Sequence, residues 1–349
     1  MHRVVAGLVS AVMLATVAAA EPTVTGAGAT FPAPVYASWA AQYKRESGID
    51  VVYEAVGSGA GMARIRAGVV DFGASDVPVS GEERELVQFP AVLGGVVPVV
   101  SLAGLPSGGL RLSGELLARI FLGQISKWNA PEIAALNPGV TLPSSNITVV
   151  HRSDLSGTTF LWSDYLARSS AEWASKVGVG MSLPWPVGIG EPGNEGVAAS
   201  VQRTRAAIGY VEYAYARQHN LEMVSLRNRE GAFIAPEPAT FEAALRQAQW
   251  RDASALRTSL LDAPGKTSWP ITAASFILLR ATPVDPGRTV ELLKFFDWAL
   301  SNGQQTALSL GYVPIPDAAV RLIQQEWNER IRSSDGTVIW PPGTPLPRR

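Results

Sequence analysis

The sequence predicts an α/β fold in two domains, and three observations carry that prediction. Short apolar, β-branched runs alternate with stretches of helical period along the chain. The 349 residues exceed one ordinary domain, at roughly 100–200 residues each. The 33 glycines and 25 prolines are spread through the chain without any low-complexity tract, enough to punctuate many short elements. The strands are mostly apolar, which predicts sheets covered on both faces.

In chain order, the first element is a leader. Met1-His2-Arg3 is a short basic start, Val4–Ala20 is uncharged and mostly apolar, and Ala18-Ala19-Ala20 ahead of Glu21 is a small-x-small cleavage site. This predicts a signal peptide over residues 1–20, cleaved after Ala20, and a soluble exported protein. The polar Glu21-Pro22 exit favours cleavage over a retained membrane anchor. A helix follows over Pro34–Ser47, with Val35, Trp39 and Tyr43 at i, i+4 and i+8 and a stop at Gly48. Strands are predicted at Ile49–Val56 and Val69–Ala74. The most apolar run, Val92–Leu105, contains Pro98 and three glycines and is too short to span a bilayer, so it reads as a buried strand or crossover.

Ser113 and Glu115 open a helix carrying Leu116, Leu117, Ile120 and Phe121, closed by Gly123. A strand at Ile147–His151 runs into a helix over Thr158–Arg168, with Leu161 and Tyr165 on one face. Strands at Ile208–Tyr213 and Ile271–Leu279 precede a helix over Arg288–Asn302, which stops at Gly303. Crossings near 96–105 and at 263–270 would build one lobe from 21–97 and 267–340 and the other from 98–266. A proline-rich tail occupies 341–349.

Composition removes several function classes. With no cysteine there is no disulfide, thiolate zinc site, iron–sulfur cluster or cysteine nucleophile. A net charge of −1 without a basic run offers no footprint for nucleic acid. After leader removal only His151 and His219 remain, without metal-ligand spacing. Gly26-Ala-Gly28-Ala-Thr-Phe31 fails the dinucleotide fingerprint at its third glycine, and no phosphate-cradling G-x-x-x-x-G-K-[ST] loop exists. Val56 stands where a nucleophile elbow around Ser58 would need glycine. No catalytic arrangement, and no cofactor, is indicated.

What recurs instead is a glycine–hydroxyl turn ahead of a helix. It appears as Gly26-Ala-Gly-Ala-Thr30-Phe31, as Gly57-Ser58-Gly-Ala-Gly61, and as Arg152-Ser-Asp-Leu-Ser156-Gly157-Thr158. Such turns expose backbone N–H groups at the positive end of the helix dipole and add hydroxyl donors. One copy alone reads as an N-cap. If the three converge, they form a site for a small oxyanion. Arg152 could reach that anion with its bidentate fork, or simply pair with Asp154. Asp76, closing Asp71-Phe-Gly-Ala-Ser-Asp76, would repel a fully ionised ligand and accept a hydrogen bond from one that still carries a proton; taken alone, it is a turn residue or cap.

Thr25-Gly-Ala-Gly-Ala-Thr-Phe-Pro-Ala-Pro-Val-Tyr36, Asp71–Asp76, Ser156-Gly-Thr158, Ile208-Gly-Tyr-Val-Glu-Tyr-Ala-Tyr215, Trp269-Pro-Ile-Thr272 and Leu293-Lys-Phe-Phe-Asp-Trp298 together closely resemble the PstS family of periplasmic phosphate-binding proteins. These are the soluble receptors of ABC-type phosphate importers. The resemblance implies a periplasmic-binding-protein fold of type II-like form, two α/β lobes with the ligand in the cleft between them. It implies dehydrated phosphate held by Thr30, Phe31, Ser58, Asp76, Arg152, Ser156, Gly157 and Thr158, with Asp154 steadying Arg152. It further implies a periplasmic monomer that delivers phosphate to an inner-membrane ABC permease. His151 and Leu155 depart from the family pattern, an arginine and a glycine being expected there. A receptor for another oxyanion and a secreted phosphatase are the competing readings.

Overall fold

The computed structural model describes residues 23–340 apart from 81–82, 103, 106–107, 249–252 and 258. The predicted leader and the tail at 341–349 lie outside the described residues. The first part of the chain forms β1 (Thr23–Gly28), α1 (Ala33–Ser47), β2 (Asp50–Ala55), α2 (Ser58–Arg66), β3 (Phe72–Ser75) and a long β4 (Leu86–Val100). The middle supplies β5 (Arg111–Leu112), α3 (Gly114–Phe121), α4 (Pro131–Leu136), β6 (Thr148–Arg152), α5 (Gly157–Ser169) and α6 (Ala171–Lys176). It continues with β7 (Ile189–Glu191), α7 (Gly193–Arg203), β8 (Ala207–Glu212) and α8 (Tyr213–Gln218). Then come β9 (Glu222–Met223), β10 (Ser225–Arg227), β11 (Phe233–Ile234) and α9 (Pro238–Leu245). The chain returns through β12 (Thr272–Arg280), α10 (Pro286–Asn302), α11 (Gln304–Leu310) and α12 (Asp317–Arg330).

The main sheet runs β2-β1-β3-β12-β4-β8-β6-β7, with β9 also on β4, and a small sheet joins β11, β10 and β5. β1 pairs in parallel with β2 and β3, and β6 with β7 and β8. These two parallel groups flank the antiparallel pair β12–β4. β4 changes partner along its length: Leu86–Gly95 pair with β12, whereas Val96–Val100 pair with β8. Every residue of β4 is buried, as its apolar run requires of a central strand. The two α/β halves on either side of β4 make the two-lobe architecture. The segment leading into β12 lies against this partner change, because Trp269 Nε1 donates to the Val96 carbonyl at 3.0 Å and the Val96 N–H to that of Ile271 at 2.9 Å.

The apolar stripes of the helices form the core. Val35, Trp39 and Tyr43 of α1 are buried, Tyr43 packing edge-on against Phe295 of α10, and Trp39 Nε1 donates to the Gly303 carbonyl at 2.8 Å. α1 ends where Gly48 takes φ +79°. Two expectations need correction. The Val69–Ala74 run is strand only from Phe72: Val69 is exposed in a turn, and the Asp71 carboxylate accepts from Thr25 N and Oγ1 at 2.9 and 3.0 Å instead of extending the ladder. β2 is not covered on both faces either; it is the sheet edge, and Val52 is exposed there.

Candidate anion-binding site

In both parallel groups the strands run toward the same middle zone, and the carboxyl ends of all but β3 lead into helices. This places α1, α2, α5 and α7 with their N-terminal turns in one place. The turn between β2 and α2 depends on Gly57, whose φ is +93°; a Cβ there would also lie 2.6 Å from Asp154 Oδ2, across the cleft. The N–H groups of Val56 and Gly57 both donate to the Gly28 carbonyl, at 3.0 and 2.8 Å, tying the second turn to the first. From the other half, the Leu155 carbonyl accepts from Gly59 N at 3.0 Å. A Cβ on Gly157 would fall 2.4 Å from Ser58 Oγ and 2.7 Å from Asp76 Oδ2, so the two sides meet closely at this glycine.

All eight residues expected to hold the anion are therefore brought together, and all are buried. Their hydroxyls have different duties. Ser156 is the N-cap of α5, accepting from Thr159 N at 3.0 Å. Ser58 is not a cap: its Oγ accepts from Asp76 N at 3.2 Å, which joins the second turn to the end of β3. Thr30 precedes α1 without capping it. The carbonyls of Thr30 and Phe31 are pinned by the hydroxyls of Tyr215 and Tyr312, each at 2.7 Å. In the first turn of α5, the N–H groups of Gly157 and Thr158 have no carbonyl of their own helix to serve.

Arg152 is the last residue of β6 and only 3% exposed. Its Nε and Nη2 bind the Asp154 carboxylate at 2.7 and 2.5 Å, while Nη1 donates to Thr158 Oγ1 at 3.3 Å. The bidentate edge expected to face the anion is thus occupied by Asp154, and Nη1 is the part directed toward the converging hydroxyls. Burial works against the Asp154 charge, but the hydrogen bonds and charge of Arg152 and the Gly193 N–H at 3.0 Å hold its carboxyl below the usual range. The pair is neutral overall, which leaves most of the anion's stabilisation to N–H and O–H dipoles.

Asp76 is 1% exposed, and its Oδ1 accepts from Ser275 Oγ at 2.8 Å. Burial pushes its carboxyl up to about 7, opposed by the hydrogen bond from Ser275, the Arg152 charge and Ser58. Residue type alone predicts a permanent carboxylate here; burial in the fold raises its affinity for a proton toward the neutral range.

Sequence reasoning missed Asn194, Ser275 and Glu212. Asn194, at the start of α7, donates through Nδ2 to Thr30 Oγ1 at 2.7 Å and Thr158 Oγ1 at 3.3 Å. A signal was present, since Pro192-Gly193-Asn194, the cap and first two residues of α7, is a fourth glycine–polar pattern at a helix start. Ser275 had none: the antiparallel register of β12 on β3 alone places it beside Asp76. Glu212 is fully buried at the end of β8 and caps α8 through Ala214 N at 2.8 Å, and its carboxyl lies 3.0 Å from Tyr312 Oη, whose proton is held by the Phe31 carbonyl; burial keeps the carboxyl far up, toward the neutral form. The two departures from the family pattern lie at the rim. His151 stacks on Trp185 with ring centres 4.5 Å apart, and Leu155, 52% exposed, rests against Gly59.

Residues 15–303 match the family model of the PBP superfamily domain. The phosphate-binding protein PstS of Pasteurella multocida (strain Pm70) is 50% identical over 321 residues, covering 91% of this chain and 93% of that protein. This chain belongs to the PstS family. The PstS of Haemophilus influenzae is likewise 50% identical, over 89% of this chain and 94% of its own length. Among solved structures, a putative phosphate ABC transporter substrate-binding protein with bound phosphate from Clostridium perfringens superposes with a TM-score of 0.62 at 19% identity. It covers 84% of this chain and 100% of its own, a likeness of fold. Membership in the PstS family fits the order of turns described above, from Thr30-Phe31 through Ser156-Gly157-Thr158. Among the described residues, no helix is long and apolar enough to cross a membrane.

Proposed function

We propose that this protein is the phosphate receptor of an ABC importer: exported by its leader, it binds inorganic phosphate in the periplasm and presents it to an inner-membrane permease. One observation carries the reading. Helix N-termini and hydroxyls from both halves converge on a buried group, Asp76, that can accept a hydrogen bond. Such a site suits an anion that keeps a proton. Thr30, Ser58, Arg152, Ser156 and Thr158 donate through their side chains, and Phe31 and Gly157 through backbone N–H. Asp76 accepts from the phosphate hydroxyl, or supplies the proton to the dianion, and Asp154 holds Arg152 in place. Exclusion of water strengthens each of these bonds. The protein acts as a monomeric binder, not an enzyme.

The lobes would be 21–97 with 267–340, and 98–266, closing about the two segments that cross beside Val96 and Trp269. The partner change in β4 and the Trp269–Val96 hydrogen bond support this division.

Calorimetric titration of the ligand-stripped protein near pH 7 tests the function. Tight one-to-one binding of phosphate with weaker sulfate binding is expected, and no release of p-nitrophenol from its phosphate ester with or without divalent metals. Absence of heat from phosphate would overturn the receptor reading, and ester hydrolysis would favour the phosphatase.

Gly157→Ala tests the closed geometry. Its methyl would press on Ser58 and Asp76, and overpacking of this kind costs about 1–3 kcal/mol, so phosphate affinity should fall about 10- to 100-fold. Unchanged affinity would show that the two sides do not close as tightly in the bound state.

A further inference from the structure

Asn194 is fully buried between the two halves, and its orientation is set by its neighbours. Its Oδ1 accepts from Glu212 N at 2.9 Å, which assigns the amide oxygen to that side and turns the Nδ2 group toward the cleft. There Nδ2 meets two hydroxyls, one from each side: Thr30 Oγ1 ahead of α1 and Thr158 Oγ1 in α5.

A hydroxyl has two acceptor positions and one proton. Thr30 Oγ1 receives both Asn194 Nδ2 at 2.7 Å and Asn194 N at 3.3 Å. Thr158 Oγ1 receives Asn194 Nδ2 and Arg152 Nη1, each at 3.3 Å. Both oxygens are therefore saturated as acceptors, and each retains a proton to give. Among the described residues, neither hydroxyl donates to a protein group.

We propose that Asn194 is a positioning residue: by filling acceptor sites on Thr30 and Thr158 it fixes both hydroxyl rotors so that their protons point at the bound anion, and it links the two sides of the cleft through the same amide. Without it, each hydroxyl could swing and accept, presenting a lone pair to the anion. Asn194 thus makes the two threonines obligate donors while its own amide stays behind them. This inference rests on the phosphate reading above.

The test is Asn194→Asp, titrated with inorganic phosphate alongside the unaltered protein from pH 5.5 to 8.5. The substitution preserves shape and the acceptor for Glu212 N but replaces the amide donor with an oxygen. Ionised, that oxygen draws both threonine protons away from the anion. Losing two oriented donors at about tenfold each, affinity at pH 8.5 should drop about 100-fold relative to the unaltered protein. The ratio should shrink toward pH 5.5, as the new carboxyl gains a proton and can donate again. A residue that merely supports the fold would give a ratio independent of pH, and that result, or unchanged affinity, would overturn the proposal. Asn194→Ala serves if the aspartate variant does not fold. Alone it should weaken phosphate at least tenfold, and in a Thr30→Val, Thr158→Val background it should have no further effect; an equal loss in both backgrounds would refute the positioning role. If the unaltered protein binds no phosphate, the receptor reading itself fails, an outcome distinct from either variant result.

Discussion

Arg152→Ala is expected to weaken phosphate binding by about 10³-fold, near 4 kcal/mol. Two losses combine. The hydrogen bonds from a buried guanidinium to the anion disappear, each charge-assisted bond being worth about 1.5–3 kcal/mol. The Asp154 carboxylate also loses its bidentate partner and keeps only the Gly193 N–H, so a bare negative charge faces the incoming anion. Asp154 is partly exposed, with 21% of its side chain accessible, so solvent softens this second term. Titration of Arg152→Ala and of Arg152→Ala with Asp154→Asn separates the two, because removing the orphaned charge should recover about tenfold. Affinity equal to that of the unaltered protein would contradict the assignment of Arg152 to the site.

Asp76→Asn is expected to raise affinity for sulfate, most strongly above pH 7. With the Asp76 carboxyl at about 7, sulfate, which carries no proton, binds only when Asp76 has one. Sulfate affinity of the unaltered protein should therefore be flat below about pH 6 and fall tenfold per unit above about pH 7. Asparagine offers a permanent donor, so sulfate affinity in the variant should be independent of pH and exceed that of the unaltered protein by roughly 30-fold at pH 8.5. Titrations at pH 6, 7 and 8.5 check both slopes. A flat pH profile in the unaltered protein, or continued exclusion of sulfate by the variant, would overturn the proton argument.

The same group makes a stability statement with a definite sign. Its folded-state value lies above its unfolded one, so the ligand-free folded protein keeps a proton that the unfolded chain has released. Stability from this group is fully present below about pH 4 and is lost as pH rises toward 7, a difference of up to about 4 kcal/mol that asparagine would abolish. Melting curves of ligand-free protein should converge below about pH 4 and separate at pH 8, with Asp76→Asn the more stable.

Much of this site was legible in the sequence, because its parts are local. A glycine that permits a tight turn, a hydroxyl beside it and a helix that follows are neighbours along the chain, and Thr30, Ser58, Ser156 and Thr158 were found that way. The helix stripes were readable for the same reason: Val35, Trp39 and Tyr43 share a face whatever they later pack against. Less legible were elements whose limits depend on a partner. Asp71 stood within a predicted strand, yet its side chain caps Thr25, and the run from Val69 becomes a turn. Residue type offers the arginine fork either to a ligand or to Asp154, and only the fold shows that Nε and Nη2 go to Asp154.

Legible along the chain are an α/β alternation, helix N-termini bearing glycines and hydroxyls, an acidic residue at the end of a strand, and an arginine at the end of another. Periodicity, turn chemistry and residue type act over a few residues and need no partner. Folding brings Ser275, 199 residues away, to Asp76, and Asn194 to Thr30 across 164 residues and to Thr158 across 36. It also decided the protonation of Asp76, since the cost of a charge depends on how completely folding removes water from it and which donors it finds in exchange.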